Sequence, residues 1–341
     1  MLKLRRGVVV AEDPLTVEVE GERRKAWADE TLVGEVREGD EVVVNVEARD
    51  LELGSGGFDV VHVNLTRGLE GTGAEGVHVM KLNYSSLQHP VEPVEGAAGD
   101  RFQMPVLVIP LHGHLAPAAW AAAQTGPDLK VGYVQTAGGA LPGSLSKDVR
   151  LLRDRGLLTG HVTAAPAYGG EGEAMSVAGA LDAASAGLGW DAAIAGPGPG
   201  IIGSDTRLGH GGMAALDTAH AALTLGLPTL ISPRLSGADE RPRHRGLSHH
   251  TRTVLELLLA GVHVPVPDGD DEIAAEISGL SGQTHLLISL PVDLDAYGKS
   301  GLPAKVMGRG IADDPLFFEA PLAAGRALGE MRREGAGEPS G

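Results

Sequence analysis

The sequence predicts an α/β protein in which a small β-rich domain precedes a larger domain built on a mostly parallel sheet. Three observations lead to this prediction. Short β-branched runs with turn residues between them fill the first 95 residues, and continuous apolar runs alternate with helical stretches after residue 100. The chain has 341 residues, which is more than the roughly 250–300 that a single hydrophobic core usually supports.

The N-terminal domain, residues 1–95, is predicted to be a small antiparallel β-barrel or sheet. Several of its runs alternate apolar with polar residues, as expected when one face of a sheet meets water. Residues 37–40, Arg-Glu-Gly-Asp, form a predicted turn because Gly and Asp favour turn conformations. The predicted strands are residues 8–10, 16–19, 32–36, 42–46, 60–65 and 77–82.

A change of pattern marks the end of this domain. Pro90, Pro93, Gly96 and Gly99 punctuate residues 91–100, which we interpret as a linker. The second domain is predicted to span residues 100–333. The remaining residues, 334–341, are rich in Gly and Glu and are expected to be disordered.

The second domain contains apolar runs without polar alternation, which is typical of strands that are buried on both faces of a parallel sheet. Helical stretches follow the runs, so the order is that of βαβ units and predicts a helix-flanked, Rossmann-like sheet. About six repeats are too few for an eight-stranded barrel. The predicted strands are residues 106–111, 131–134, 192–195, 229–231, 262–266 and 286–290, and the predicted helices are 116–124, 144–155, 173–186, 212–225, 248–260 and 270–278.

Composition excludes several classes of function. The net charge of −17 and the aromatic content of 3% disfavour binding to a nucleic-acid backbone or to stacked bases. The absence of Cys excludes disulfides, thiolate nucleophiles and iron–sulfur clusters. Without a long apolar run or a signal-peptide core, we expect a cytoplasmic protein that does not enter the membrane.

The loops that follow the predicted strands are expected to meet at one edge of the sheet, where ligands bind in open α/β folds. Many of these loops are rich in Gly, which permits close backbone approach and leaves N–H groups that attract anions. Turns of a chain with 50 Gly would contain such residues in any case. Neither a P-loop nor a dinucleotide fingerprint is present. The residues assigned to ligand loops are Gly138, Gly139, Gly169, Gly170, Gly198, Gly200, Asp205 and His210.

A basic loop between residues 234 and 252 reverses the charge of this acidic chain. Guanidinium groups match carboxylates and phosphates, so Arg234, Arg241, Arg243 and Arg245 are predicted to bind an anion. Ser248 is positioned to cap the helix that follows. The alternative is a solvated loop or a subunit interface, where Arg is common.

Histidines in the same loops are candidates for proton transfer. His112 and His114 follow the first buried strand, and His249 and His250 follow the basic loop. Imidazole is the side chain best suited to acid–base work near neutral pH. Imidazoles and carboxylates also bind Zn²⁺, Mn²⁺ or Fe²⁺, but no diagnostic metal motif is present. The cofactor and the metal therefore stay open.

Three long motifs resemble those of an uncharacterised bacterial family known only as a domain of unknown function. They are HVNLTRGL from His62, HVMKLNYSSLQHP from His78, and ADERPRHRGLSHHT from Ala238. The resemblance extends through about residue 330 and implies no activity. A Gly-Phe-Ser-type segment followed by Glu is expected where this chain has Leu208-Gly209-His210-Gly211, so a role of His210 would be particular to this protein.

These observations leave three hypotheses for the function. The first is an enzyme or binding protein for a small anionic molecule, such as a nucleotide or a phosphorylated metabolite, at the carboxyl edge of the sheet. The second is a sensor or assembly subunit that uses the basic loop as an interface, for example in a homo-oligomer. The third is a divalent-metal hydrolase. Nucleic acid and membrane are not among the expected partners.

Overall fold

The computed structural model describes residues 1–53, 56–94, 104–126, 128–201, 203–204 and 206–336, with side chains up to residue 332. The chain divides into two compact units, Met1–Glu92 and Pro93–Gly341. Most of the segment predicted as a linker, residues 95–100, lies outside the described residues, as do residues 337–341 of the predicted tail. No helix in the described ranges is long and apolar enough to cross a bilayer.

The first unit is a closed five-stranded barrel, which confirms the predicted small β-barrel. Its strand order is β1-β2-β3-β5-β4, and β1 pairs with β4 to close it. All pairs are antiparallel except β3 and β5, which are parallel because other elements intervene between them in sequence. The elements are β1 (Leu4–Glu12), β2 (Leu15–Val19), β3 (Glu22–Trp27), α1 (Glu30–Val33), β4 (Glu41–Asn45), α2 (Glu47–Asp50), β5 (Asp59–Asn64), β6 (Val79–Lys81) and β7 (His89–Val91).

Valines fill the interior of the barrel in the two-residue period of a strand. In β4, Val42 and Val44 are fully buried and Val43 between them is only half-buried. The strand predicted at residues 32–36 is wrong, because residues 30–33 form α1. Asp29 caps this helix by accepting a hydrogen bond from the backbone N–H of Thr31, and such a cap favours a helical turn over an extended strand.

A buried carboxylate explains part of the motif that begins at His62. Asp40, which is 1% exposed, accepts hydrogen bonds from Asn64 Nδ2 at 3.0 Å and from Arg67 Nε at 2.9 Å. Burial raises the pKa of Asp40, but the donors Arg37 N, Asn64 and Arg67 outweigh it and hold this pKa below its usual range. This part of the motif therefore has a structural role inside the barrel.

The second unit is built on an eight-stranded, all-parallel sheet with the order β11-β10-β9-β12-β8-β13-β16-β17. This confirms the predicted helix-flanked parallel sheet. The larger elements are β8 (Val106–Val108), α3 (Leu115–Thr125), β9 (Val131–Thr136), α4 (Lys147–Asp154), β10 (Gly160–Ala164), β11 (Gly172–Ala174), α5 (Val177–Ala186), β12 (Ala192–Pro197), α6 (Ala214–Thr224), β13 (Thr229–Ile231), β14 (Leu235–Ser236), β15 (Gly246–Leu247), α7 (His249–Leu257), β16 (His263–Pro267), α8 (Asp271–Ser278), β17 (Leu286–Leu290), α9 (Leu294–Lys299), β18 (Lys305–Val306), β19 (Arg309–Gly310) and α10 (Pro315–Ala336).

Both faces of the sheet are buried, which is why its central strands carry no polar alternation. In β8, Val106 and Val108 belong to the hydrophobic layer under α5, α6, α7 and α8. Leu107 belongs to the opposite layer, under α3, α4 and α10. Successive side chains of a strand point to opposite faces, so a strand covered on both sides needs apolar residues throughout.

The helices α5 and α10 differ most from the prediction. The helix predicted at residues 173–186 begins at Val177, because Ser176 caps it and Gly172–Ala174 form the edge strand β11. The long helix α10 was not predicted, and it extends to Ala336, into the segment expected to be disordered. It packs so closely on α3 that a Cβ at Gly325 would lie 2.0 Å from the carbonyl oxygen of Ala118.

Candidate functional site

The carboxyl ends of the parallel strands bring the loops after β8, β12 and β13 to one edge of the sheet. From β8 the chain continues to β9, β10 and β11 on one side, and from the adjacent β13 it continues to β16 and β17 on the other. Loops that diverge in this way leave a crevice between them, which is the usual ligand site of an open α/β sheet.

The basic loop after β13 folds into a compact unit. Its ends pair as the antiparallel strands β14 and β15, with a 3₁₀ turn at Pro242–His244 between them. Ser248 caps α7 by accepting a hydrogen bond from His250 N, as predicted. The backbone N–H of Arg234 donates to Thr251 Oγ1 at 2.9 Å, which ties the start of the loop to the first turn of α7.

Asp239 is the acidic centre of this loop. Its carboxylate accepts two bonds from Arg241, from Nε and Nη2 at 2.9 Å each. Arg234 Nη2 at 3.3 Å and Arg309 Nη2 at 3.4 Å approach the same oxygen, Oδ2. Burial raises the pKa of Asp239, but the hydrogen bonds and charge of Arg241 outweigh it and hold this pKa well below its usual range.

A second carboxylate, Asp314, supports the loop from the start of α10. It accepts hydrogen bonds from Ser236 Oγ at 2.6 Å and from Gly237 N at 2.9 Å. Arg309 Nε lies 3.3 Å from its Oδ2, so Arg309 bridges the two carboxylates Asp239 and Asp314. The basic loop is thereby held by residues from a distant part of the chain.

Positive charge exceeds negative charge in this group. Among the described residues, its ion pairs join three arginines, Arg234, Arg241 and Arg309, to two carboxylates, those of Asp239 and Asp314. Burial, and then the charge of Arg241, lowers the pKa of Arg234 to about 10, so its guanidinium is still charged at neutral pH. Arg234 is 6% exposed, and its Nε has no hydrogen-bond partner among the described residues.

Four imidazole rings lie beside Arg234 and form what we call the histidine cluster: His210, His244, His249 and His250. His210 comes from the loop after β12, and the others come from the basic loop and the start of α7. The rings of His210 and His250 are stacked with centroids 3.7 Å apart, and His249 lies 4.3 Å from His250. His244 lies 4.9 Å from both His249 and His250.

Hydrogen bonds constrain some ring nitrogens of the cluster and leave others without a partner. His210 Nε2 donates to the carbonyl oxygen of Arg207 at 3.0 Å, which leaves its Nδ1 as the nitrogen that carries a lone pair. His250 Nδ1 faces Arg234 Nη1 at 3.5 Å, and His244 Nδ1 is 2.7 Å from Ser248 Oγ. Within the described part of the chain, His210 Nδ1 and His249 Nε2 are buried without a partner.

The environment keeps the cluster neutral at pH 7. Burial, and then nearby positive charges, lowers the pKa of His250 to about 2 and that of His244 to about 3. The pKa values of His210 and His249 are lowered in the same direction and mainly by burial. One ring nitrogen each from His210, His249 and His250 lies within 4.8 Å of the other two, so these are the residues that could hold a metal ion.

His114 lies at the base of the crevice at the same edge of the sheet. It is completely buried, and its Nδ1 is 2.8 Å from Ser232 Oγ at the end of β13. Burial, and then the charge of Arg234, lowers its pKa to about 3. Its Nε2 has no partner within the described ranges. The structure therefore places His114 close enough to Arg234 for its charge to act on the imidazole.

His112 lies in a different buried group. Its Nε2 is 2.7 Å from Ser146 Oγ and its Nδ1 is 3.3 Å from the carbonyl oxygen of Pro197. Ser146 also caps α4 by accepting from Val149 N, and Tyr133 donates to the same Pro197 carbonyl. Burial first of all lowers the pKa of His112. These hydrogen bonds satisfy both ring nitrogens of His112 within the protein. Its predicted role in proton transfer stays a prediction.

The predicted glycine loops contact one another through their backbones. A Cβ at Gly138 would lie 2.4 Å from Gly211 O, and one at Gly139 would lie 2.1 Å from Gly198 O. These glycines therefore permit close contact between the loops after β9 and β12. A ligand role for any of them stays a prediction.

The other residues that were predicted to form ligand loops have different environments. Gly169 N donates to Glu173 Oε1 at 2.6 Å, and Gly170 N donates to Thr163 Oγ1 at 3.3 Å, so both N–H groups are used by the protein itself. Gly200 has a positive φ of 77°, and a Cβ added there would have no described residue within 4 Å. Asp205 lies outside the described residues.

A cavity of about 410 Å³ lies elsewhere in the second unit, between α3 and α10. Trp120, Asp293, Leu322 and Arg326 line it, and none of the predicted site residues does. The candidate site is therefore identified by its chemistry and by its place at the carboxyl edge of the sheet.

Several residues of the site were not among the predicted ones. His244 was visible within the motif that begins at Ala238, next to the selected arginines. Ser232, Arg309 and Asp314 carried no usable pattern, because each is an isolated polar residue whose partner is distant in sequence. Arg309 and Asp239, for example, are 70 positions apart.

Comparison with known proteins gives one match. The model of a family described as "Protein of unknown function (DUF3866)" matches residues 25–325. No curated protein matches the chain, and no solved structure does.

Proposed function

The chain belongs to the DUF3866 family of proteins of unknown function, and from the site itself we propose that it binds a small anionic molecule at the carboxyl edge of the parallel sheet. The chemistry of the ligand is that of a phosphate or a carboxylate, as in a nucleotide or a phosphorylated metabolite. The observation that carries this proposal is the buried Arg234, whose Nε is unpartnered among the described residues in a group with excess positive charge.

A donor left unpaired on a buried guanidinium costs free energy. A buried guanidinium is stable only when carboxylates or other acceptors surround it. Asp239 is the carboxylate that faces Arg234, and it is shared with Arg241 and Arg309. An anion that accepts from Arg234 Nε would satisfy the unpaired donor and would offset the repulsion among the arginines.

The experiment is isothermal titration calorimetry on chelator-treated protein with inorganic phosphate, pyrophosphate, nucleoside phosphates and dicarboxylates. We expect one of these anions to bind saturably. Arg234→Gln should weaken that binding by about 10-fold to 100-fold, because a hydrogen bond to a charged group contributes roughly 1.5–3 kcal/mol.

Arg326→Gln is the matched control, because it removes one positive charge beside the distant cavity. It should leave the affinity unchanged. Equal binding by wild type and Arg234→Gln would refute the proposal, and so would a panel in which no anion binds to the wild-type protein.

A further inference from the structure

We propose that His210, His249 and His250 form a site for a divalent transition-metal ion of the Zn²⁺ or Co²⁺ type. One ring nitrogen from each residue lies within 4.8 Å of the others. Imidazole nitrogen is a preferred ligand of these ions. His210 lies in the loop after β12 and the other two residues begin α7, and the parallel sheet brings these segments to the same edge.

Unpartnered nitrogens are the second and independent observation. Among the described residues, His210 Nδ1 and His249 Nε2 are buried and lack any hydrogen-bond partner. His210 is 6% exposed, so this nitrogen has little access to water. Burying a polar atom without a hydrogen-bond partner costs free energy. A metal ion would coordinate the lone pair that now lacks a partner.

The other nitrogen of His210 is arranged as in a metal ligand. Nε2 donates to the carbonyl oxygen of Arg207 at 3.0 Å. Metal-binding histidines commonly donate their second N–H to a carbonyl or a carboxylate, which fixes the tautomer and the ring orientation. This bond leaves His210 Nδ1 as the atom available for coordination.

Gly212 provides the space next to these nitrogens. A Cβ at this position would lie 3.0 Å from His210 Nδ1 and 3.2 Å from His250 Nδ1. Any other residue would therefore crowd both nitrogens. The glycine does not have a positive φ, so the requirement at this position is for space and not for an unusual backbone conformation.

Coordination requires a local rearrangement of the rings. The planes of His210 and His250 are now 12° apart and stacked. The rings of His249 and His250 must turn so that their lone pairs meet that of His210 Nδ1 at one centre, while His210 keeps its bond to Arg207. Tetrahedral Zn–N bonds of about 2.0–2.1 Å bring nitrogens that now lie within 4.8 Å of one another to roughly 3.4 Å apart. Rotation about the two side-chain torsions of histidine is sufficient for such a change.

A site with three protein ligands leaves a coordination position open for another ligand. In this respect the inference rests on the proposed function, because the open position is where the anionic group would bind. The charge of Arg234, whose Nη1 is 3.5 Å from His250 Nδ1, disfavours a bare cation. An anion bound to both the metal ion and Arg234 would offset that repulsion.

The test uses the full-length protein after removal of metal by a chelator. It is titrated with Co²⁺, followed by visible absorption, and with Zn²⁺, followed by calorimetry, both without added anion. We expect one ion per chain and absorption bands typical of nitrogen coordination. Protein that takes up no Co²⁺ or Zn²⁺ saturably would overturn the inference.

Variants locate the ion. His210→Ala and the more conservative His249→Gln should each weaken Co²⁺ binding about 10-fold or more, because each removes one of three ligands. His220→Gln, on the helix α6, should bind as wild type does. Cooperative unfolding of the metal-free variants shows that they are folded. Unchanged Co²⁺ affinity in both folded variants would overturn the site.

The outcomes separate this inference from the proposed function. If Co²⁺ binds and no anion binds with or without the metal, the proposed function fails and the metal site stands. If phosphate binds to the metal-free protein through Arg234 and no metal binds, the proposed function stands and the metal site fails.

Discussion

His114 Nδ1 lies 2.8 Å from Ser232 Oγ, and this contact ties the loop after β8 to the end of β13. The two strands are adjacent and parallel, and the chain leaves them toward opposite sides of the sheet. The contact therefore closes the base of the crevice that these diverging loops form. Because Arg234 follows Ser232 by two residues, the same contact supports the start of the basic loop.

Ser232→Ala should lower the free energy of unfolding by about 1–3 kcal/mol, because it leaves a buried imidazole nitrogen without its partner. Denaturant titration at pH 7 measures the change. The control is Ser278→Ala, where an exposed hydroxyl donates to the carbonyl oxygen of Ala274. We expect that variant to change stability by no more than about 0.5 kcal/mol. Equal effects of the two substitutions would contradict a structural role for the His114 contact.

The architecture of the sheet was predictable because burial on both faces removes the polar alternation of a strand. Val131–Thr136 and Ala192–Pro197 are fully buried strands, and their apolar runs predicted them directly. In the first domain, a β-branched run also predicted a strand at residues 32–36, and this prediction is wrong. There the cap at Asp29 favours a helical turn, and its effect outweighs the β-branched composition of the segment.

The sequence did not predict the helix α10, and the packing of this helix explains why. Pro321, Gly325 and Gly329 interrupt its sequence, and each of these residues disfavours an isolated helix. In the folded protein the glycines permit contact with α3 that larger residues would prevent. Tertiary packing thus overrides the local propensity.

Gly325→Ala should destabilise the protein by about 1–3 kcal/mol or more, because its Cβ would lie 2.0 Å from the backbone oxygen of Ala118. Gly298→Ala is the matched control at an exposed position of α9, where Ile311 at 3.5 Å is the contact that the new Cβ would make among the described residues. That control should be neutral or stabilising, by up to about 1 kcal/mol, through its helix propensity. Chemical denaturation of both variants gives the comparison, and a neutral Gly325→Ala would contradict the close packing of α3 and α10.

Most of the candidate site was predictable because its residues are close together in sequence, whereas His114 and His210 were predicted from the convergence of the loops. Arg234, Arg241, His249 and His250 stand within one basic segment, and the structure places them together. His112 was grouped with His114 because two positions separate them, yet the 3₁₀ turn at His112–His114 sends their side chains to different partners.

His161 should make the folding stability depend on pH. Burial is the main cause that lowers its pKa to about 4; Glu171 opposes the shift, and His112 and Arg153 add to it. The unfolded chain takes up a proton near pH 6.5, whereas the folded chain does so only near pH 4. The unfolded state therefore binds more protons in this window, and stability is lost as the pH falls through it.

His161→Gln removes this titration. Relative to wild type, the variant should gain about 1.1 kcal/mol of unfolding free energy for each unit by which the pH falls from 6 to 4.5. Urea titrations of both proteins across this range give the difference, and titrating groups that do not interact with His161 cancel because both proteins contain them. Parallel pH profiles would show that His161 does not carry the expected shift.

Arg241, Arg243 and Arg245 distinguish the anion site from a subunit interface. The triple substitution to Ala should leave the molar mass in solution unchanged and should reduce the stabilisation that a bound anion gives. A ligand at 100 times its Kd raises the unfolding free energy by about 2.7 kcal/mol, a thermal shift of roughly 2–4 °C. Size-exclusion chromatography with light scattering and a thermal-shift assay measure the two properties.

The matched control replaces Arg6, Arg23 and Arg37, exposed arginines of the barrel unit, with Ala. It removes the same net charge and should change neither property. If the molar mass falls in the Arg241/Arg243/Arg245 variant while the anion response is retained, the basic loop is an interface and the anion proposal is contradicted. Loss of the anion response with an unchanged mass separates ligand binding from assembly, because the control has lost an equal number of positive charges.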